Sequence, residues 1–382
     1  MAYDLLIRGG TVIDPRRNLS EVRDIGIRDG RIAAVERDLT RSGGAERVLD
    51  AAGRIVTPGL VDMHVHIYHG ATEFGIEPDP WCLARGATTV FDAGSAGALT
   101  FGGLAKYVLE PSAGRIRAFL NLSSHGMISR DLGELIDLRF ADVARAVQVC
   151  RDHERDICGI KIRVGRQIVE DRPEEMLARA VQVCGETGLP LMVHPNKAAT
   201  SLAAILSAMR PGDILTHCFH CSPTQILDQE GRLRPEVREA RSRGVVFDVG
   251  HGMGSFSFEV AEAALDQGFE PDTISTDLHH FNIHGPVYDL PTTLSKFLMM
   301  GMDLSRVIAK ATEAPAEIMG MREEIGSLAV GSPADIAILE LASGQFSFSD
   351  TVGVMRSGGQ CLVPVTVIKA GKPYERTAAT DR

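Results

Sequence analysis

Gly59-Leu60-Val61-Asp62-Met63-His64-Val65-His66 carries an apolar run into two histidines separated by one residue. On a strand, side chains at i and i+2 leave the same face. Where a buried strand ends, two such imidazoles can share one metal ion in a cleft. A His-x-His pair alone is a weak signal. Here four later strand-like runs carry or end on further candidate ligands: Lys161, His194, His217 and Asp277.

These runs belong to a longer alternation. Strands are predicted at 60–66, 87–93, 116–122, 158–163, 190–194, 213–217, 244–249 and 272–277. Amphipathic stretches separate most of them. Residues 142–152 place Val143, Val147 and Cys150 on one stripe, and residues 174–187 do the same with Met176, Ala180, Val183 and Cys184. Eight β/α steps over about 260 residues match a (β/α)8 TIM barrel. A doubly wound sheet competes, but no G-x-G-x-x-G follows the first strand. Both ends of the chain read differently. Residues 3–56 are short strands and turns, with Asp29-Gly30 at a hairpin tip, and residues 325–375 return to the same pattern. The reading is an α/β chain in two units. The barrel takes 57–324, and a composite β-sandwich takes 1–56 plus 325–382, because chain ends often lie close together.

Composition narrows the partners. The 382 residues are 44% hydrophobic, enough for a large core, and carry a net charge of −10. With a pI of about 5.7, nucleic acid and anionic membrane surfaces are disfavoured, since both need basic patches. No stretch of 18 uninterrupted apolar residues exists, so no spanning helix is expected. Met1-Ala2-Tyr3-Asp4 lacks the start of a signal peptide. Seven scattered cysteines, an odd number, fit reduced thiols in the cytoplasm. Cys218-Phe219-His220-Cys221 stands without a second C-x-x-C, so its thiols read as wall residues. A small-molecule substrate and a homo-oligomer are the expected partners.

Catalytic groups of such barrels sit at the C-terminal ends of strands, where His64, His66, Lys161, His194, His217 and Asp277 fall. Imidazoles with a carboxylate suit zinc or a similar divalent ion. Four histidines and one aspartate could fill one site. Two ions roughly 3.5–4 Å apart would need a bridging ligand. Lys161 is the odd member, because an ammonium has no lone pair. Either it carries a carbamate formed from carbon dioxide, or it is ion-paired inside the barrel mouth; the residues leave both open. Arg163 shares the face of Lys161, where its fork suits a substrate carboxylate or a barrel-mouth acid. His125 follows the third strand and reads equally as a substrate contact or a loop histidine. His251, in Gly250-His251-Gly252-Met253-Gly254, reads as a binding residue, since glycines admit close approach to a ligand. His220 and His279 read as orienting neighbours of ligands. Phe256 and Phe258 read as ordinary packing.

Several stretches together resemble a known family. They are Pro58-Gly59-Leu60-Val61-Asp62-Met63-His64-Val65-His66, Gly159-Ile160-Lys161, Val193-His194-Pro195, Thr216-His217-Cys218 and Ser275-Thr276-Asp277, with Thr312-Glu313-Ala314-Pro315-Ala316 and Gly326 to Asp335 further on. The chain is similar to the amidohydrolase superfamily in its dihydroorotase-like branch, nearest the amidohydrolase/deacetylase metallohydrolases. The resemblance spans nearly the whole chain. It implies two divalent metal ions, zinc by family habit. His64, His66 and Asp277 would hold the more buried ion, and His194 and His217 the more exposed one. A carboxylated Lys161 and a hydroxide would bridge the pair. The hydroxide would attack the substrate, with Asp277 as proton shuttle. It further implies hydrolysis of an ester or amide, in particular the acetyl group of an N-acetyl amino acid or an O-acetyl 2-hydroxy acid. One departure stands out: the arginine that closely follows H-x-H in dihydroorotases is replaced by Ile67-Tyr68-His69-Gly70. Dihydroorotate is therefore disfavoured, and loop 67–80, with Glu73, Phe74, Gly75 and Asp79, reads as a different substrate lid. The rival readings are a cyclic amide hydrolase of the dihydroorotase or hydantoinase type, and a non-catalytic scaffold. The intact ligand set speaks against the scaffold.

Overall fold

The computed structural model describes residues 2–39 and 44–374. Met1 and the last residues of the expected terminal unit, 375–382, lie outside the described residues.

The N-terminal strands are β1 (Tyr3–Asp14), β2 (Leu19–Arg28), β3 (Arg31–Glu36), β4 (Ala45–Asp50) and β5 (Ile55–Pro58). The barrel strands are β6 (Leu60–Val65), β7 (Ala87–Gly97), β8 (Arg115–Asn121), β9 (Ile157–Arg163), β10 (Leu191–His194), β11 (Ile214–Leu215) and β12 (Val246–Phe247). The chain ends with β13 (Ile336–Ser349), β14 (Met355–Lys369) and β15 (Lys372–Pro373).

The two chain ends form one mixed sheet in the order β15-β14-β13-β5-β1-β2-β3, with β4 also paired to β1. The halves meet where β5 and β13 run antiparallel, Val56 opposite Ile338. Alternating residues point inward. Leu5, Ile7, Val12, Ile25 and Ile27 from the first half pack with Ile336, Ile338 and Ile368 from the second. Asp14 fastens the distal motif, accepting from Leu328 N at 2.7 Å and Ser327 Oγ at 3.0 Å. β5 then passes through Gly59 straight into β6. A Cβ on Gly59 would lie 2.0 Å from Thr88 Oγ1, so only glycine admits this crossing.

The barrel strands are all parallel and ordered β6 to β12. The gap between β12 and β6 is closed by the segment predicted as the eighth strand. Asp248 bridges Thr273 and Val65 bridges Leu278, both parallel; His66 N donates to Leu278 O at 2.9 Å. This segment forms isolated bridges instead of a regular strand, and its side chains add further bonds. Thr273 and Ser275 hydroxyls donate to Asp248, and Thr276 Oγ1 donates to Asp62 at 2.6 Å. Asp277 then turns the chain at φ 51°. β11 is likewise cut short, with His217 at φ 60°. Val61, Met63, Phe91, Phe119, Met192 and Ile214 form an apolar cluster with Ala316, Met321 and Ile325, separate from the larger strand–helix core.

The predicted helices form at Val143–Asp152 and Pro173–Thr187. Asp142 caps the first by accepting from Arg145 N at 3.0 Å. The second starts on Pro173 and ends at Gly188, φ 74°. Among the described residues no helix is long and apolar enough to cross a membrane.

Candidate active site

Six side chains from five barrel positions converge at the C-terminal mouth. β6 delivers His64 and His66; β9 delivers Lys161; β10 ends on His194; His217 follows β11; Asp277 ends the closing segment. Asp277 Oδ1 lies 3.4 Å from His64 Nε2 and 3.1 Å from His66 Nε2. Lys161 Nζ lies 3.2 Å from His64 Nε2 and 3.3 Å from Met192 Sδ. The rings of His194 and His217 meet at 4.4 Å, and those of His64 and His217 at 4.9 Å. His64, His217 and Asp277 each offer one ligand atom within 4.8 Å of the others. This trio takes one residue from each of the two ion sites that the resemblance implies, together with Asp277.

Hydrogen bonds fix which ring nitrogen carries the proton. His217 Nδ1 meets Gly250 O at 2.6 Å. A carbonyl only accepts, so Nδ1 donates and Nε2 keeps its lone pair. That Nε2 is buried and has no partner among the described residues. Thr216 Oγ1 lies 2.8 Å from Asp248 Oδ2 and 2.8 Å from His64 Nδ1. A carboxylate takes the hydroxyl proton, so Thr216 accepts from His64 Nδ1 and leaves His64 Nε2 as a lone pair. His66 Nδ1 rests on Ser95 Oγ at 3.0 Å. Burial pushes His66 and His217 down to about 3 and holds His64 and His194 well below the ordinary histidine value. Neutral imidazoles with oriented lone pairs beside a carboxylate, one lone pair buried without a partner, fit a divalent cation.

Lys161 forms no ion pair with a carboxylate among the described residues, and burial lowers its amine to about 7. The backbone itself is shaped to the site. Gly252 stands at φ 60°, and a Cβ there would lie 2.4 Å from Asp277 Oδ2. Gly250 stands at φ 45°, where a Cβ would lie 2.3 Å from Thr216 Oγ1.

His217 is buried against the rings of His64 and His194, and the other five groups, His64, His66, Lys161, His194 and Asp277, border a cavity of about 740 Å³. Arg163 also lines it. Its Nη1 donates to Glu134 Oε1 at 2.5 Å, while its buried Nε has no partner among the described residues. Glu134 is itself buried and accepts from Asn121 Nδ2 at 3.2 Å. Arg130, Arg166 and Lys197 add positive charge to the same wall, against Asp131. Phe74 from loop 67–80 lines the cavity, whereas Glu73 turns to Ser129 Oγ and Asp79 to Ser112 Oγ. His279 also reaches the cavity. Its Nδ1 accepts from Phe281 N at 3.2 Å, and burial lowers it to about 4.

Two predicted substrate contacts lie elsewhere. His125 packs on Phe140 at 4.6 Å beside Ser123 and does not line the cavity. His251 is fully buried behind the wall. Its Nδ1 donates to Gly252 O at 3.0 Å, Lys296 Nζ donates to its Nε2 at 2.6 Å, and its ring stacks on Phe256 at 4.4 Å. Glycine spacing placed His251 near the site, but the left-handed turns on either side direct its ring inward. Phe256 and Phe258 are packed in the core, as expected. Asp62, Asp248, Glu134 and Lys296 carry no local signature as strong as those of the six predicted ligands. For the two aspartates the available signal is an acid inside an otherwise apolar strand. Burial raises both, Asp62 to about 7, and hydroxyl donors offset it.

A barrel whose strand ends gather neutral histidines, a carboxylate and a buried lysine, and whose chain ends pair in one sheet, defines the class of metal-dependent barrel hydrolases. The chain belongs to the amidohydrolase family, whose model matches residues 55–373. It is 36% identical over 327 residues to a deacetylase of Brucella anthropi, covering 85% of this chain and 81% of that one. It is 35% identical over 380 residues to a deacetylase of Enterococcus faecalis, covering 98% and 100%. The crystal structure of an adenine deaminase aligns with a TM-score of 0.90 at 33% identity, covering 98% of this chain and 100% of that one. The family uses divalent metal, and the protein is a metal-dependent hydrolase.

Proposed function

We propose that the protein hydrolyses the ester or amide bond of a small carboxylate-bearing acyl compound, specifically the acetyl group of an N-acetyl amino acid or an O-acetyl 2-hydroxy acid. The observation that carries this reading is the placement of Arg163. In a chain of net charge −10, the cavity beside the ligand cluster gathers Arg163, Arg130, Arg166 and Lys197. Positive charge focused in a cleft of an acidic protein selects an anionic substrate.

In this reading His64, His66 and Asp277 would hold one divalent ion and His194 and His217 a second, both zinc, with Lys161 as a carbamate supplying a further oxygen ligand. Two such ions would polarise the scissile carbonyl and lower the pKa of water. The chain's own groups do the rest. Glu134 fixes Arg163, whose remaining N–H donors meet the substrate carboxylate. The Asp277 carboxylate has only His64 and His66 within ion-pair distance among the described residues. It is free to take a proton from the nucleophile and pass it to the leaving oxygen or nitrogen. Lys161 suits carbamate formation because only the neutral amine attacks carbon dioxide, and burial brings that form within reach near pH 7. The seven thiols, none in a disulfide, support a cytoplasmic setting. A homo-oligomer and the division at 57 and 324 into barrel and terminal units complete the reading; sedimentation and limited proteolysis test them.

The test is metal content after purification with zinc and bicarbonate, joined to a screen of acetylated amino acids, acetylated 2-hydroxy acids and cyclic amides. About two equivalents of zinc with hydrolysis of linear acetyl carboxylates is expected. Ring opening of cyclic amides alone would favour a hydantoinase-like enzyme. A protein without metal, indifferent to Asp277→Asn, would overturn the reading.

A further inference from the structure

We infer that the tip of the β13–β14 hairpin, Ser349-Asp350-Thr351, together with Lys296, positions the active-site segment 250–258, so that the terminal sheet sets the geometry of a site that it does not touch.

The segment has two sides. Toward the site, Gly250 O accepts the hydrogen bond from His217 Nδ1, Gly252 packs against Asp277, and Met253, Gly254 and Ser255 line the cavity. Away from the site, its backbone is buried and needs partners, since an unpaired buried N–H or C=O is costly. At Phe256 and Phe258 these partners come from the hairpin tip, more than ninety positions later. Thr351 acts as a pincer on Phe256: its Oγ1 accepts from Phe256 N at 3.2 Å and donates to Phe256 O at 2.7 Å, and Thr351 N donates to the same carbonyl at 3.1 Å. Asp350 Oδ2 accepts from Phe258 N at 3.1 Å, while its Oδ1 accepts from Val352 N and Val354 N and shapes the tip.

Lys296 adds the third hold. It is fully buried on helix Leu290–Met299. Its Nζ donates to His251 Nε2 at 2.6 Å, Ser349 O at 2.8 Å and Pro286 O at 2.9 Å. One buried side chain thus ties the segment, the hairpin and the loop that follows Asp277. Arg356, just past the tip, forms a two-pronged pair with Glu262 on helix Phe258–Asp266, at 2.9 and 3.0 Å. The helix that begins as the segment ends is therefore anchored to the same hairpin. None of Thr351, Asp350, Lys296 or Arg356 lines the cavity. They are positioning residues.

The test compares Thr351→Val, which keeps shape and removes the hydroxyl, with Thr351→Ser, which restores it, and uses Lys296→Met as an independent variant. Three readouts on the full-length zinc-loaded protein are hydrogen exchange by segment, zinc retention against a chelator, and kcat and KM. In Thr351→Val, exchange rises across 250–258 while the outer helices hold. Zinc retention falls by roughly 10–100-fold, the range for lost orienting partners of a ligand. Thr351→Ser stays within about threefold of the parent on both. Lys296→Met loosens the same segment. If either Thr351→Val or Lys296→Met folds and leaves exchange over 250–258 and zinc retention at parental values, the inference is overturned. The effect on turnover rests on the hydrolase reading above, but exchange does not. Loosening without any acetyl hydrolysis would sink that reading and leave the positioning role standing, whereas hydrolysis in a variant with an undisturbed segment would do the reverse.

Discussion

Gly252→Ala isolates how tightly the backbone holds the Asp277 carboxylate, the proposed proton shuttle. Gly252 has φ 60°, where an L-residue carries a cost of about 1–2 kcal/mol. The new Cβ would lie 2.4 Å from Asp277 Oδ2, against an ordinary contact of 3.4 Å or more. Either the loop or the carboxylate must therefore retreat by roughly 1 Å, a displacement that costs on the order of 100-fold in rate. That factor corresponds to about 2.7 kcal/mol of transition-state stabilisation. Gly268→Ala is the matched control. Gly268 has φ 74°, and a methyl added there would meet nothing within 4 Å, so it carries the backbone cost alone. The assay is thermal unfolding together with kcat/KM on an acetylated hydroxy or amino acid. Both variants should lose a few degrees of Tm, and only Gly252→Ala should lose about two orders of magnitude in kcat/KM. Equal activity losses in both, or a Gly252→Ala enzyme within about threefold of the parent, would refute the view that close glycine packing sets the position of Asp277.

Three further outcomes are expected. Thr216→Val removes the hydroxyl between His64 Nδ1 and Asp248 Oδ2, so zinc affinity measured by chelator competition should fall roughly 10–100-fold; unchanged affinity would mean that His64 is oriented by other contacts. Arg163→Lys keeps a charge near Glu134 but loses the fork, so KM for carboxylate-bearing substrates should rise about tenfold with a smaller change in kcat, and an unchanged KM would remove Arg163 from substrate binding. For metal-free protein at fixed dissolved carbon dioxide, reconstitution with zinc should quicken as pH rises through about 7, where Lys161 passes from ammonium to amine. The sign follows from burial lowering the amine below its ordinary value: above about 7 the reactive neutral form dominates. Lys161→Met should lose any dependence on bicarbonate, and a wild-type protein indifferent to bicarbonate at every pH would count against the carbamate.

The alternation of strands and helices, the pairing of the two β-rich ends and the six residues that meet at the barrel mouth were all legible in the chain alone. Those signals are local. Period-2 and period-3.6 patterns report burial, and a histidine or acid at the end of an apolar run marks a strand terminus whatever its neighbours are. Tertiary structure decided what depends on residues far apart in the chain. The eighth strand is reduced to isolated bridges, and Asp62 and Asp248, distant in the chain, hold it through the hydroxyls of Thr273, Ser275 and Thr276. His251 turned into the core because Lys296 and Phe256 offered it a donor and a stacking face there, while His279 reached the cavity through a loop whose path no periodicity encodes. The anchoring of Arg163 by Glu134, the tautomers of His64 and His217, and the grip of Thr351 on Phe256 share one physical reason. Each is a hydrogen bond between groups that only the closed barrel brings to within about 3 Å, and no local pattern in the chain records such a meeting.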